Sequence, residues 1–179
     1  RAAQELGLPV DTAWQYIASR LVFTKMRNGV TREHDSYKGQ HIKQADVNLL
    51  AYPLKLITDP VQIKLDLEYY SQKVPDAGTP AMTQAVFALL YARLGDQKKA
   101  GYWFREAYEP YLLPPFRVMA ETKGGTNPYF LTGAGGVLQA VIYGFAGWNV
   151  AEEGGMERIQ SVCPIHCKKV EIKIPAFRN

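Results

Sequence analysis

The sequence predicts an all-α chain of about three helical hairpins that ends in a short β segment. Three observations carry that expectation. Apolar residues recur at helical spacing in six successive segments. Asp-Thr, Asp-Pro and Gly-Asp steps, together with a Pro at residue 80, stand where those segments begin or end. Strict alternation of charged and branched residues is confined to residues 169–174 (KVEIKI), the pattern of a half-exposed strand.

Taken in order, Asp11-Thr12 caps a helix over residues 13–24, in which Trp14, Ile17, Ala18, Leu21 and Val22 recur on one face. Residues 25–40 (KMRNGVTREHDSYKGQ) are polar and hold Asn28-Gly29 and Lys38-Gly39, so they read as a long solvated loop. The Glu33-His34-Asp35 run inside it has the residue types of a metal or acid/base site. Adjacent residues rarely converge on one point, however, and a solvated loop is the reading taken. Residues 43–52 (KQADVNLLAY) look helical, with Val47, Leu50 and Ala51 inward and Lys43-Gln44 at the helix mouth; Pro53 ends the pattern.

Asp59-Pro60 places a capping residue before a proline at the first helical position, and the helix it starts runs to about residue 74 on an Ile63, Leu67, Tyr70 stripe. After a turn at 75–79, Pro80 opens a helix over 81–94 that is apolar almost all round and therefore buried on more than one side. Gly95-Asp96 ends it and begins a helix over 97–109, with Ala100, Trp103, Phe104 and Ala107 inward. These two helices make a hairpin with a very short turn. A long irregular stretch follows from Pro114-Pro115, and Phe116, Val118, Met119, Tyr129 and Phe130 predict that it packs against the body. The next helix spans 134–145, and residues 152–155 break its pattern.

Composition narrows the function classes. A chain of 179 residues with 47% hydrophobic residues suffices for one substantial core. Its net charge of +4 arises from 21 basic and 17 acidic residues spread along the sequence, without the basic block that a nucleic-acid tracker concentrates on one face. No apolar run reaches the roughly 18 residues that a membrane span needs, and no signal peptide is evident at the start, so neither a nucleic-acid nor a membrane partner is expected. The first residue is Arg1 and not Met, which predicts a processed product or a piece of something longer. Compartment is not encoded in what is present. The two cysteines flank His166 in C-P-I-H-C, one ligand short of the four that structural zinc takes, and no second Cys or His cluster follows. No metal or cofactor is therefore expected.

The candidate chemistry lies in the long stretch after Pro114. Loops beyond about a dozen residues without regular structure are uncommon in compact domains and usually functional or disordered. This one carries a carboxylate, Glu121, beside the Gly124-Gly125 break and the Asn127-Pro128 turn. Thr132 then reads as an N-cap, and Gly133, Gly135 and Gly136 would bring bare N–H groups at the helix start close to a ligand. An acid over such a helix mouth fits a polar, uncharged ligand such as a sugar. Two other readings stand beside it: glycines there also let two helices pack closely, and a loop glutamate is often solvated or capping. A nucleotide loop is the weakest reading, because GAGGVLQ lacks both the preceding strand and the Lys-Ser or Lys-Thr step.

Three segments together resemble glycoside hydrolase family 65: HDSYKGQHIKQADVNLLAYPL, GTPAMTQAVFALLYARLGD, and PPFRVMAET with NPYFLTGAGGVLQAVIYGFAG. The family includes acid trehalases, glucosylgalactosyl-hydroxylysine glucosidases, and phosphorylases of maltose, trehalose or kojibiose. The resemblance covers most of the chain in order and spacing. It implies that residues 1–150 are the last part of an (α/α)6-barrel catalytic domain, and that residues 151–179 are a linker and the start of a small C-terminal β domain.

By the same resemblance, Lys43 and Gln44 fall on the pair that hydrogen-bonds hydroxyls of the cleaved glucosyl unit, and Glu121 on the general base of the hydrolytic members. Phosphorylase members carry a phosphate-binding histidine shortly before the Thr-Gly step. Here the segment reads N-P-Y-F-L-T-G, so water is favoured as nucleophile, with Thr132 and Gly133 lining its side. The family's general acid lies in a Gly-Pro-Asp-Glu-Tyr type segment that nothing in this chain matches. The Trp that often precedes the family's first C-terminal strand is also missing.

The expectation is therefore an inverting α-glucoside hydrolase of the trehalase type, acting on a small α-glucoside or disaccharide and inactive as this chain alone. Its open barrel face would be covered by the remainder of the parent chain or by self-association. A phosphorylase of the same family and a non-catalytic helical-repeat binding module, hinted at by GDQKKAGYWFREAYE, are the alternatives.

Overall fold

A computed structural model describes residues 2–75, 79–151 and 154–172. Among these residues the chain is mostly helical, with seven α-helices and two small antiparallel hairpins. None of its helices is long and apolar enough to cross a membrane.

The centre is the predicted helical hairpin. Helix α5 (Thr83–Arg93) is buried along nearly its whole length, because its sequence is apolar on every side and neighbours cover each face. Helix α6 (Gln97–Tyr108) follows after a tight turn through Gly95, whose φ of +82° suits a residue without Cβ. The Asp96 side chain caps α6 by accepting from the Lys99 N–H at 2.9 Å. Ala100 and Ala107 are buried on the predicted stripe, with Trp103 and Phe104 half-buried beside them. Phe87 meets Trp103 edge-on at 5.1 Å, and Phe104 meets Phe145 at 4.9 Å.

The opposite side of α5 is covered by α7 (Leu131–Gln139) and its continuation, a π-helical segment over Ala140–Phe145. Contact there is close enough that a Cβ at Gly144 would lie 3.0 Å from the Leu89 Cα. Helix α4 (Pro60–Tyr70) starts as predicted, with Asp59 accepting from the Val61 N–H at 3.0 Å, and buries Leu67 and Tyr70. It stops at Tyr70, short of the predicted end near residue 74.

Several expectations need correction. Helix α2 (Thr12–Ala18) is capped by Asp11 as predicted but ends early, and its apolar stripe has nothing against it: Trp14 is 64% and Val22 78% exposed. Together with the four-residue α1 (Ala2–Glu5), this end of the chain buries no side chain of its helices. The helix predicted over 43–52 shrinks to α3 (Asp46–Leu49), and Lys43-Gln44 lie in a bend ahead of it.

The loop 25–40 is not solvated throughout. Val30, Thr31 and Tyr37 are buried, and a hydrogen-bonded knot ties it to α4: Asp66 accepts from the Thr31 N–H at 2.7 Å, the Thr31 hydroxyl at 2.8 Å and the Gln62 amide at 2.9 Å, while the Tyr70 hydroxyl donates to the Thr31 carbonyl at 2.6 Å. A carboxyl group buried this deeply is tolerated because both of its oxygens accept hydrogen bonds.

The long stretch after α6 contains a hairpin that periodicity did not reveal, β1 (Leu112–Leu113) paired with β2 (Val118–Met119). Its tip, Phe116, is 86% exposed and Tyr129 is 74% exposed, so the loop packs through Val118, Met119 and Phe130 and not through all five predicted residues. A second hairpin, β3 (Trp148–Val150) with β4 (Met156–Arg158), follows the π segment. Of the strand predicted over 169–174, residues 169–172 are not in a strand, and 173–174 lie outside the described residues.

Candidate active site

The start of α5 fixes the candidate residues relative to one another. Ala81, just ahead of that helix, donates its N–H to the Glu121 carbonyl at 2.8 Å, and Pro80 and Thr122 form a β-bridge alongside. Two residues on, the Thr83 hydroxyl donates to the Lys43 carbonyl at 3.1 Å. Gly133, in the first turn of α7, packs onto the same place: a Cβ there would lie 2.3 Å from the Ala81 carbonyl oxygen. One short run, Ala81 to Thr83, thus anchors the Lys43 bend, the Glu121 loop and the mouth of α7. Residues separated by up to 90 positions in the chain are tied to one element.

The Glu121 loop is pinned at both ends. Ala120 is fully buried and donates to the Tyr111 carbonyl at 2.8 Å, the Glu121 N–H reaches the Asn127 carbonyl at 3.2 Å, and Phe130 N–H closes onto Met119 at 2.9 Å. The Glu121 side chain is half-buried, and its Oε2 accepts from the Asn127 amide at 2.9 Å. Holding one oxygen leaves Oε1 available to an approaching group.

The mouth of α7 differs from its prediction. Phe130, not Thr132, is the N-cap, and it gives no side-chain cap hydrogen bond. Thr132 is exposed within the first helical turn. Of the glycines, Gly133 and Gly136 serve helix packing, since a Cβ at Gly136 would come 3.1 Å from that of Ala85; only Gly135 has open space around it. The packing explanation therefore accounts for two of the three. The first-turn N–H groups of α7 receive no side-chain cap.

Lys43 and Gln44 are exposed and line a cleft of about 350 Å³, shared with Glu33, His34, Tyr37, Gln40, His41, Ile42 and Asp46. Glu121, Thr132 and Gly133 stand outside that lining. Glu33 is the residue that reading the sequence passed over. His34 turns to Ser36 and Asp35 to Thr24, both at the surface, whereas Glu33 turns inward. Burial, reinforced by the charge of Asp46 and opposed by the Val47 N–H, pushes its pKa from 4.5 to about 7. Its Oε2 is closed off from solvent without a protein partner. Nothing in the one-dimensional pattern separates it from its two neighbours; the Thr31–Asp66 knot two residues earlier sets its direction.

The C-P-I-H-C segment packs on α6, where a Cβ at Gly101 would lie 3.3 Å from that of Pro164. Among the described residues no group of three or more His, Cys, Asp or Glu could hold a metal ion.

No protein-family model matches the chain. Curated proteins do. A kojibiose hydrolase of Flavobacterium johnsoniae is 59% identical over 96% of the chain, and one of Mucilaginibacter mallensis 55% identical over 96%. An acid trehalase of Emericella nidulans is 33% identical over 80% of the chain. The chain belongs to glycoside hydrolase family 65. It spans about a quarter of the length of the kojibiose hydrolases it matches, and 15% of that acid trehalase. The similarity to the kojibiose hydrolases runs along nearly the whole chain, through the helical hairpin, the Lys43 bend and the Glu121 loop.

Proposed function

We propose that the parent protein is an inverting α-glucoside hydrolase, with this chain forming part of its (α/α)6 barrel, Glu121 as general base, and Lys43 and Gln44 gripping the glucosyl unit. The observation that supports this most is the common anchor at Ala81–Thr83, which ties the carboxylate loop and the Lys43 bend to one buried helix. In the reaction, water held by Glu121 Oε1 attacks the anomeric carbon as its proton passes to the carboxylate. The departing oxygen takes a proton from a second carboxyl group. Inverting enzymes set the two groups about 6.5–9.5 Å apart, and the acid belongs to a part of the parent outside this chain. Thr132 and Gly133, at the uncapped α7 mouth, line the water side. Absence of histidine in 127–133 favours water over phosphate as the acceptor.

Kojibiose is the first substrate to test, because similarity to kojibiose hydrolases far exceeds that to acid trehalases. Trehalose is the second. The exposed apolar stripe of α2 and residues 21–23 is the face that the remainder of the parent covers. The purified 179-residue chain is accordingly inactive.

In the full-length protein, Glu121→Gln should reduce hydrolysis of kojibiose by several orders of magnitude, since a general base and its positioned water contribute at least about 10²–10⁴. Near-normal turnover would remove Glu121 from the mechanism. Turnover that requires inorganic phosphate would select the phosphorylase. A protein that neither cleaves nor binds any glucoside would be the helical-repeat module.

A further inference from the structure

The carboxyl group of Glu33, which lines the same cleft as Lys43 and Gln44, has no assigned task. Glu33 lines the same 350 Å³ space, on a loop that is held rigidly from behind. Asp66 fixes Thr31 by two hydrogen bonds, the Tyr37 hydroxyl ties the far side of the loop to the Gln40 carbonyl at 2.6 Å, and Arg32 bonds the Asp35 carbonyl at 2.7 Å. A glutamate presented this firmly, with one oxygen cut off from water and from every protein donor, is costly unless something else partners it.

We propose that Glu33 is a second sugar-contacting residue of this protein, which hydrogen-bonds a hydroxyl of the glucosyl unit held by Lys43 and Gln44. This rests on the reading of that cleft as the glucosyl site. Sugar hydroxyls both donate and accept, and a neutral carboxyl does the same, whereas Lys43 only donates. The terminal torsion of a glutamate is broad, so either oxygen can turn to the ligand.

The environment leaves the group about half protonated near pH 7 and neutral below it. Asp46 faces it from α3, Tyr37 from its own loop and Tyr70 from α4, while Lys43, His34 and His41 share the cleft rim. A bound sugar excludes further water and favours the neutral form still more. By linkage, sugar affinity then falls as pH rises through about 7.

The test uses the full-length protein, with KM for kojibiose and calorimetric Kd for glucose measured from pH 5.5 to 8.5. Glu33→Ala should raise both constants about tenfold, the effect of one lost hydrogen bond to a buried polar group, with kcat changed less. Glu33→Gln, which keeps a donor and an acceptor at every pH, should restore the wild-type constants and flatten their rise above pH 7. Wild-type constants in Glu33→Ala, a loss confined to kcat, or an equal loss in Glu33→Gln would overturn the assignment. A pH dependence that persists unchanged in Glu33→Gln would also overturn it. Glucose binding separates this from the wider reading: if wild type binds no glucose, the cleft itself is misread, and if it binds equally with and without Glu33, only Glu33 is.

Discussion

Two glycines two positions apart in α7 should respond to the same substitution with opposite signs. A Cβ at Gly133 would stand 2.3 Å from the Ala81 carbonyl oxygen and 3.0 Å from both the Ala81 Cβ and the Met119 Cε, whereas one at Gly135 would meet nothing within 4 Å. Ordinary contact begins at 3.4 Å. Accommodating Gly133→Ala therefore requires α7 and the Ala81 backbone to separate by about 1 Å, and forced insertion into a packed interface costs about 1–3 kcal/mol.

Gly135→Ala incurs no clash and removes a helix-interior glycine, which stabilises by roughly 0.5–1 kcal/mol. The displacement at 133 also acts on the site, because the Ala81 N–H holds the Glu121 carbonyl. In the proposed mechanism, with Glu121 as general base, a shift of that size costs about 10²-fold in rate. Denaturant midpoints and kojibiose turnover of the two variants in the full-length protein measure both effects. Equal stability changes, or full activity in Gly133→Ala, would refute the contact between α7 and the start of α5 and with it the common anchor.

Two further outcomes follow from the loop that carries Glu33. Asp66→Ala strands the Thr31 N–H and hydroxyl in a buried position and should destabilise the protein by about 2–5 kcal/mol, read from denaturant unfolding; a loss under 1 kcal/mol would contradict the knot. The pKa of Glu33 is raised on folding from 4.5 to about 7, so the native state keeps a proton that the unfolded chain has released, and stability falls as pH rises between those values. Glu33→Gln should flatten that part of the Tm–pH curve, and an unchanged slope would mean that Glu33 is not buried as described.

Local chemistry dictated the starts of helices and their buried faces. Asp11, Asp59 and Asp96 cap where the sequence places them, because a cap is satisfied within three residues and needs no distant partner. The all-round apolar run of α5 likewise announced a helix covered on several sides, and its neighbours are α6 and the α7–π rod. The segments carrying the family 65 resemblance also put Lys43, Gln44 and Glu121 forward as candidates.

Helix ends were less legible. Residues 19–23 have helical spacing but stay exposed, and a marginal turn forms only where tertiary packing stabilises it; at 50–52 the Leu50 carbonyl instead accepts from the Leu56 and Ile57 N–H groups, which turns the chain out of the helix. Thr132 lost the cap to Phe130 because the Phe130 N–H is bonded to Met119, which sets the helix entry two residues early.

The sequence by itself determined which residues could be helical, which could be capped, and which family's framework they build. Only the tertiary structure decided that Gly133 and Gly136 are packing contacts, that the polar loop 25–40 is buried at Thr31, and that Glu33 turns inward while His34 and Asp35 do not. The physical reason is range. Caps and stripes are satisfied among neighbours along the chain, whereas the placement of these groups depends on atoms tens of residues away, at Asp66, Ala81 and Ala85, which no local spacing records.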